Sequence, residues 1–598
     1  MTISKNKKPE AIHNFIVLHK LIIMKNQLHN FKFITLVLLL FVTGCKEKMP
    51  IHNGIYSEQI RLNQIGYYPQ AAKKAVIVNG NGTMDFQLID AKTMKTVYSG
   101  ELSDEISWEL ADEKVQIADF SNVSAEGEYL IYIKSLGYSY PFKIEKNVLK
   151  NVFQGSVKAM YYQRMGMPLE EKYAGKWHRP MAHPDDSVAF HSSSGRKEGF
   201  LVSPGGWYDA GDYNKYVVNG SFPLGQFYLF QEQYPNIIAD GELNIPESGN
   251  GISDYLDELK YEMDWLLTMQ DNDGGLFHKL TAMNFEGMVM PHEAKSQRFV
   301  VGKGTAATLD FAACAAQAFR IFKIIDAEYA STCLMAAENA YDWAERNPEV
   351  EFLNPEGIST GQYGDKNFED EWFWANAELF ISTEDGKYLE GLTENTFNFE
   401  FVPGDNWTKF MRFMGMFTLL DHKEALPIEV YESIEKGILK VADELVGKTK
   451  ELDYFQPLND FQWGSNSDIL NAALIVAQAY KLEQKPDYLT AIQQAADYVL
   501  GNNATGYSFV TGFGDKTPMF IHHRQSEADG IKEPIPGLIS GGPNYGKQDA
   551  TAGVVYPENA SPMKSWVDQE PSYASNEICL NWNAPLTYVL GFLEQESK

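Results

Sequence analysis

The chain has 598 residues, with 51 Lys and Arg against 80 Asp and Glu, for a net charge of −29. That acidity would repel a phosphate backbone and argues against a nucleic-acid partner. The 44% hydrophobic and 22% charged residues describe a globular protein rather than a disordered or fibrous one, long enough for one large domain and a small one.

The N-terminus reads as an address. Residues 1–48 hold two acids, Glu10 and Glu47, among many lysines. The apolar run from Phe33 to Val42 is too short for a transmembrane helix and has the length of a signal-peptide core. Val42-Thr43-Gly44-Cys45 resembles a bacterial lipobox, which implies cleavage before Cys45 and a lipid on its sulfur. The alternative is an ordinary signal peptide with an incidental cysteine. Met24-Lys25-Asn26 makes a better start for such a peptide than Met1. The expected layout is a leader over 1–45 and a linker over 46–57. The expected place is outside the cytoplasm, as an outer-membrane lipoprotein facing the periplasm or the cell surface.

Between residues 58 and 146 short alternating runs are broken by turns. Ala75-Val76-Ile77-Val78 and Phe86-Gln87-Leu88-Ile89 flank Asn79-Gly80-Asn81-Gly82, and Gly127 to Ile133 leads into Tyr140 to Ile144. Several strands in that length predict a small β-sandwich, with a scaffold role because no binding constellation is visible. From 147 to 598 the period becomes helical. Thr305 to Ile325 is apolar on nearly every face, as a helix buried on both sides would be. Ser467-Asp468-Ile469 opens another, with Ile469, Ala473, Val476, Ala477 and Tyr480 at helical steps. Long loops rich in Gly, Pro, Trp and Asp lie between. Cys314, Cys333 and Cys579 fall in apolar stretches without CxxC spacing and are expected to be buried free thiols.

Three loop segments carry the chemistry. In Trp207-Tyr208-Asp209-Ala210-Gly211-Asp212, two carboxylates three residues apart can face one side of a turn. Their joint ionisation is costly, which suits holding and activating one water, and a solvated turn or calcium loop is the alternative. Ser508 to Lys516 leads into His522-His523-Arg524, where His522 and Arg524 can contact one ligand or form a structural pair. The third segment runs from Trp566 through Asp568, Glu570 and Tyr573 to Glu577 and Trp582. There Glu577 reads as the first turn of an apolar helix. It is either an acid with a raised pKa or a helix-end charge beside a Ser575 cap.

Taken together, these segments resemble the signatures of glycoside hydrolase family 9, over about residues 148–596. Cys579 stands where the family usually carries Ser, Thr or Ala. The opening Arg61-Leu62-Asn63-Gln64-Ile65-Gly66-Tyr67 resembles the immunoglobulin-like module that precedes many such domains. The resemblance implies a mainly α fold, an (α/α)6 barrel behind an immunoglobulin-like β-sandwich. It implies an inverting enzyme that cleaves β-1,4-glucosidic bonds in cellulose or related β-glucans, endoglucanase-type, without a required cofactor. It makes Asp212 the general base, Asp209 its helper, Glu577 the general acid and Asp568 a supporting acid. His522, Arg524 and Tyr573 become contacts to the sugar beside the scissile bond. Trp207, Trp372 and Trp463 are candidate stacking platforms, each equally at home in a core.

The alternatives are xyloglucan, mixed-linkage glucan or glucomannan specificity, exo-acting glucosidase or glucosaminidase action, and a non-catalytic glycan-binding lipoprotein. The intact Asp209, Asp212 and Glu577 argue against the last. Gly361, Asp365, Asp370 and Glu371 are similar to a calcium site of some relatives. They also read as a turn into the acidic first turn of a helix. A zinc site of other relatives is expected to be lost, because its ligand positions read Met165, Ala182, His183 and Lys215.

Overall fold

The computed structural model describes residues 54–597 apart from 81, 393–396 and 405. Cys45 and the leader lie outside the described residues. No described helix is long and apolar enough to cross a membrane.

Ten short strands build the N-terminal module: β1 (Ile60–Arg61), β2 (Gly66–Tyr67), β3 (Lys74–Val78), β4 (Asp85–Asp90), β5 (Lys95–Glu101), β6 (Ile106–Trp108), β7 (Glu113–Asp119), β8 (Gly127–Ile133), β9 (Gly137–Tyr138) and β10 (Phe142–Ile144). They form two sheets, β1-β3-β7-β6 and β2-β10-β8-β4-β5, with β9 beside β8. Side chains alternate across a strand, so Ala75 and Ile77 join Leu88, Phe120, Ile131 and Phe142 in the sandwich core. Val76 and Val78 point the other way, into the core of the helical domain. The first sheet is therefore covered on both faces, which explains why β3 reads as an unbroken apolar run.

Among the described residues the helical domain has eleven long helices: α1 (Lys150–Gln163), α2 (Val217–Gln233), α3 (Asp254–Thr268), α4 (Thr305–Phe322), α5 (Ala327–Arg346), α6 (Glu369–Thr383), α7 (Met411–Asp421), α8 (Ile428–Glu451), α9 (Ser465–Glu483), α10 (Pro486–Val499) and α11 (Leu580–Glu596). Helices α2, α4, α6, α7, α9 and α11 are buried nearly all round and form the inner ring. The outer helices are amphipathic. In α8 the buried residues Tyr431, Ile434, Ile438, Val441, Ala442 and Leu445 fall at three- and four-residue steps. The short helix Gly386–Leu389 occupies the fourth of the six outer positions in chain order. This is the (α/α)6 architecture. Helix α9 starts two residues earlier than Ser467, after Gly464 in a left-handed conformation (φ 83°).

A five-stranded sheet crosses the loops at one end: β11 (Val188–Phe190), β12 (Phe200–Leu201), β13 (Lys215–Tyr216), β14 (Lys279–Ala282) and β15 (Arg298–Val300), in the order β12-β11-β15-β14-β13. Strand β13 follows the Asp209–Asp212 segment directly and leads into α2, so the sheet fixes where that segment sits.

The module meets the barrel through a polar and aromatic seam. Asn63 donates to Asp497 (2.8 Å), and Gln64 donates to the Gly506 carbonyl while accepting from the Asp515 and Lys516 N–H groups. Glu113 accepts from Tyr454 (2.5 Å) and pairs with Arg61 and Lys564. Trp108 packs on Tyr454 and Phe455. The Arg61–Tyr67 segment thus carries seam residues as well as strand.

Candidate active site

A cleft of about 560 Å³ opens among the loops, lined by Asp209, Asp212, His522, Arg524, Tyr573 and Glu577 with the aromatic residues Tyr216, Phe285, Tyr363, Trp407, Trp463 and Trp582. The three expected chemistry segments converge here by backbone pairing. Ala210 bridges Cys579, His522 bridges Glu577, and the Arg524 N–H donates to the Gly211 carbonyl (3.1 Å). Gly211 is required by crowding. A Cβ there would meet the His522 carbonyl oxygen at 2.1 Å and Glu577 Oε1 at 3.2 Å.

The two aspartates are held differently. Asp209 has both oxygens engaged, Oδ1 by the Asn219 amide (2.7 Å) and Oδ2 by the Tyr363 hydroxyl (2.8 Å). Asp212 takes the Asn214 amide (2.6 Å) and the Tyr216 hydroxyl (3.0 Å) on Oδ2. Its Oδ1 has only a long contact from the Asn214 N–H (3.4 Å), which leaves it able to accept from a water. Burial, then the neighbouring Asp212, pushes Asp209 up to about 8. Burial also raises Asp212, opposed by Arg524 and the bonds from Asn214 and Tyr216. Burial thus raises both carboxyls, and two like charges this close resist joint ionisation.

Glu577 is raised well above the usual carboxylate range, by burial first and Asp212 second. It does not occupy a helix turn, as the sequence suggested. It is extended (φ −73°, ψ 164°), between the short helix Tyr573–Asn576 and α11, and its carbonyl accepts from the Gly541 N–H. Ser575 caps nothing here; its hydroxyl bonds Ser572. The pairing with His522 draws the segment out straight and turns the carboxyl into the cleft.

His522 Nδ1 lies 2.7 Å from the Glu570 carbonyl, which assigns the proton to Nδ1 and leaves Nε2 as an acceptor. Burial lowers its pKa to about 4, so the ring is neutral. Arg524 spends Nε on the Glu286 carbonyl and one terminal nitrogen on the Gly211 carbonyl, both 2.8 Å. It buttresses the aspartate turn as well as lining the cleft.

Some expected site residues fall elsewhere. Asp568 is behind the cleft, accepting from the Met519 and Phe520 N–H groups and the Asn576 amide. It braces the approach to His522 and does not itself line the cleft. Trp207 is wholly buried, with its indole N–H on Glu258 (2.9 Å), and cannot be a platform. Trp372 packs edge-on against Tyr341 in the core margin. Trp463 is 39% exposed on the cleft wall, inclined to Tyr573. Sequence reasoning missed Tyr216, Asn219, Tyr363, Trp407 and Trp582. Tyr216 and Asn219 follow Asp212 by four and seven residues, a signal that could have been read. Tyr363 and Trp407 come from distant loops, whereas Trp582 stands in the first turn of α11, five residues after Glu577.

The calcium set is not assembled as expected. The Gly361 carbonyl accepts from the Lys279 ammonium (2.6 Å), so a side-chain cation already holds it. Asp365 Oδ1 caps its own turn through the Lys366 and Asn367 N–H groups. Among the described residues, no three His, Cys, Asp or Glu side chains are grouped as a ready metal centre. What the region does contain is buried carboxylate oxygen that no N–H or hydroxyl donor reaches. Both oxygens of Asp310 and of Glu371 are in this state, with one each on Asp365 and Asp370. The zinc positions are filled otherwise. Met165 packs with Tyr208, Tyr213 and Ala294, His183 bonds the Tyr208 hydroxyl (2.8 Å), and Lys215 and Arg298 both pair with Asp185. One imidazole among cations cannot hold zinc. Cys314, Cys333 and Cys579 are buried free thiols.

The profile of glycosyl hydrolase family 9 matches residues 150–590, and that of the cellulase N-terminal ig-like domain matches residues 56–137. The chain is similar to a xyloglucan-specific endo-β-1,4-glucanase of Bacteroides ovatus, 40% identical over 568 residues that cover 91% of this chain and 95% of that protein. It is similar to endoglucanase D of Acetivibrio thermocellus, at 36% identity over 91% of this chain and 85% of the other. A solved Bacteroides ovatus GH9 structure superposes with a TM-score of 0.84 at 38% identity, covering 91% of this chain and all (100%) of that one.

Proposed function

This chain belongs to glycosyl hydrolase family 9, and from that membership and the cleft geometry we infer how it acts as an endo-type β-1,4-glucanase. The observation that carries the assignment of roles is the unequal treatment of the two aspartates. Asp209 has a short bond on each oxygen and a lone pair still free on each, whereas Asp212 Oδ1 has only a long contact and is open to a water. Asp212 takes a proton from that water as its oxygen attacks the anomeric carbon. Asp209 keeps the water aimed, and Glu577, protonated by its burial, donates its proton to the departing glycosidic oxygen. One C–O bond forms, one breaks, and the configuration inverts. His522 Nε2 is placed to accept from a sugar hydroxyl, and Trp407, Trp463, Tyr573 and Trp582 offer faces to sugar rings.

Glu577→Gln should abolish turnover of unactivated glucan while binding survives. NMR of the first product should show the α-anomer. Near-normal activity, or an initial β-anomer, would overturn the assignment.

A finer reading is xyloglucan as the substrate, favoured by the specificity named for the 40%-identical relative. Reducing-sugar release from xyloglucan, mixed-linkage glucan and cellulose, compared at equal mass, decides it. Two further proposals concern the rest of the chain. Asp310, Asp370 and Glu371 repel one another and carry buried oxygens without a donor. A hard divalent cation such as calcium would have to draw them together, since among the described residues they are not grouped as a ready centre. The residues at the zinc positions of other relatives do not suit zinc. The lipobox-like Val42 to Cys45 supports a lipid anchor on a surface or periplasmic enzyme. Palmitate labelling lost in Cys45→Ser would test it.

A further inference from the structure

Lys279 is fully buried on β14 and stands opposite Tyr216 in the β13–β14 ladder. Its ammonium donates to the Gly361 carbonyl (2.6 Å), Asn354 Oδ1 (2.8 Å) and Thr360 Oγ1 (3.0 Å). It also lies 5.3 Å from the Tyr216 ring centroid. These are neutral acceptors, an expensive surrounding for a buried cation. Its compensation comes from the carboxylate pair. Burial pushes the amine down to about 7, and the attractions that draw it back are those of Asp212 and Asp209. From the side of Asp212, Arg524 is the dominant cation; from the side of Asp209, it is Lys279.

Its contacts lead to both aspartates by different routes. The Thr360–Gly361 turn precedes Tyr363, whose hydroxyl bonds Asp209. Tyr216, paired with Lys279 across the ladder, bonds Asp212. We propose that Lys279 is a positioning residue of the hydrolytic site, which sets Tyr363 and Tyr216 on their aspartates through the Thr360–Gly361 turn and the β13–β14 ladder and places a positive charge behind the pair. The proposal rests on the reading of Asp212 as the base.

The other groups facing the pair are Asn214 and Tyr216 at β13, Asn219 on α2, Tyr363 on its loop, Arg524 and His522 on theirs, and Glu577 and Cys579 before α11. Glu262 on α3 lies behind Asp209. His278, beside the lysine, is held neutral by burial, at about 3. Removal of a nearby positive charge raises a carboxylate pKa, so loss of Lys279 should move the acidic limb of the pH profile upward.

The test compares Lys279→Met, Lys279→Arg and Asp212→Asn on soluble β-1,4-gluco-oligosaccharide, with kcat, KM and the pH profile measured beside Tm. Lys279→Met should lower kcat about 10- to 100-fold, the range that small misplacements of catalytic groups produce. KM should stay within about threefold, and the acidic limb should rise by about one pH unit. Lys279→Arg should restore the limb. If Lys279→Met fails to fold, Lys279→Gln, which keeps an N–H donor for Gly361, carries the same expected shift. An unmoved limb in the uncharged variants overturns the proposal, whether or not kcat falls. Asp212→Asn reads the premise separately. Near-normal activity there would defeat the base assignment itself, while an inactive Asp212→Asn beside an unshifted lysine variant would defeat only the role of Lys279.

Discussion

Tyr363→Phe isolates one hydroxyl in the catalytic cleft. The ring sits between Tyr216 and Trp407, with centroid distances of 4.8 and 5.1 Å, and phenylalanine keeps both contacts. What disappears is the 2.8 Å bond to Asp209 Oδ2, together with longer contacts to the Asn219 amide (3.4 Å) and Cys579 Sγ (3.9 Å). A hydrogen bond to a charged or partly charged group contributes about 1.5–3 kcal/mol, and about 1.4 kcal/mol is tenfold in rate. Asp209 acts on the water rather than on the sugar, so the loss should appear as a fall in kcat of about 10- to 100-fold with KM little changed. Tm should hold within a few degrees because no cavity larger than a hydroxyl opens. Initial-rate kinetics on a soluble β-glucan, with a thermal melt of the same preparation, measure both. A kcat within twofold of the parent, or a loss carried by KM alone, would refute the claim that Asp209 works by being held at two oxygens.

Asp497, buried at the module seam, is raised to about 7 by burial against the opposing effects of Asn63 and Lys73. A carboxyl raised in the folded state favours folding most below its unfolded pKa, and that contribution is lost as pH rises through 7. Asp497→Asn retains the acceptor for Asn63, so it should raise Tm by a few degrees at pH 8 and by clearly less at pH 5, by calorimetry. Calcium chelation should lower Tm by several degrees, and calcium but not magnesium should restore it. Equal melts in chelator and calcium would mean that Asp310, Asp370 and Glu371 are kept as neutral acids. Elemental analysis of protein purified without metal-affinity resin should find well under one zinc per chain; a stoichiometric, chelator-resistant zinc would show the ligand positions misread.

Much of the site was legible because its parts are local in sequence. Asp209 and Asp212 share one turn, His522 and Arg524 another, and each stretch carries its own signature. The tryptophans were not legible, because an indole reads the same whether it faces sugar or core. Trp207 lies two residues from Asp209, yet its N–H is committed to Glu258. The resemblance made Asp568 a supporting acid, but how it supports, by tying down two backbone N–H groups, has no local signal. Glu577 was placed on a helix by its apolar neighbours, and the ladder with His522, 55 residues earlier in the chain, drew it straight instead. The strands of the module showed themselves by alternation, but not the covering of their outer sheet, which depends on residues hundreds of positions away.

That covered sheet has a consequence for how such enzymes can be recombined. Val76, Val78 and Trp108 pack into the same apolar body as the barrel helices, and Gln64, Arg61 and Glu113 close its polar edge. A barrel cut free at residue 147 would expose Tyr454, Phe455 and the carboxyl of Asp497 to water together. A module grafted from elsewhere would have to match an aromatic shelf, a buried acid and a loop that expects a glutamine. Chimaeras that join at the chain connection alone should therefore express poorly and aggregate, whereas those that carry both faces of the seam as one unit should fold. The two domains are a fitted pair, and the natural cutting points for protein engineering lie outside residues 56–597.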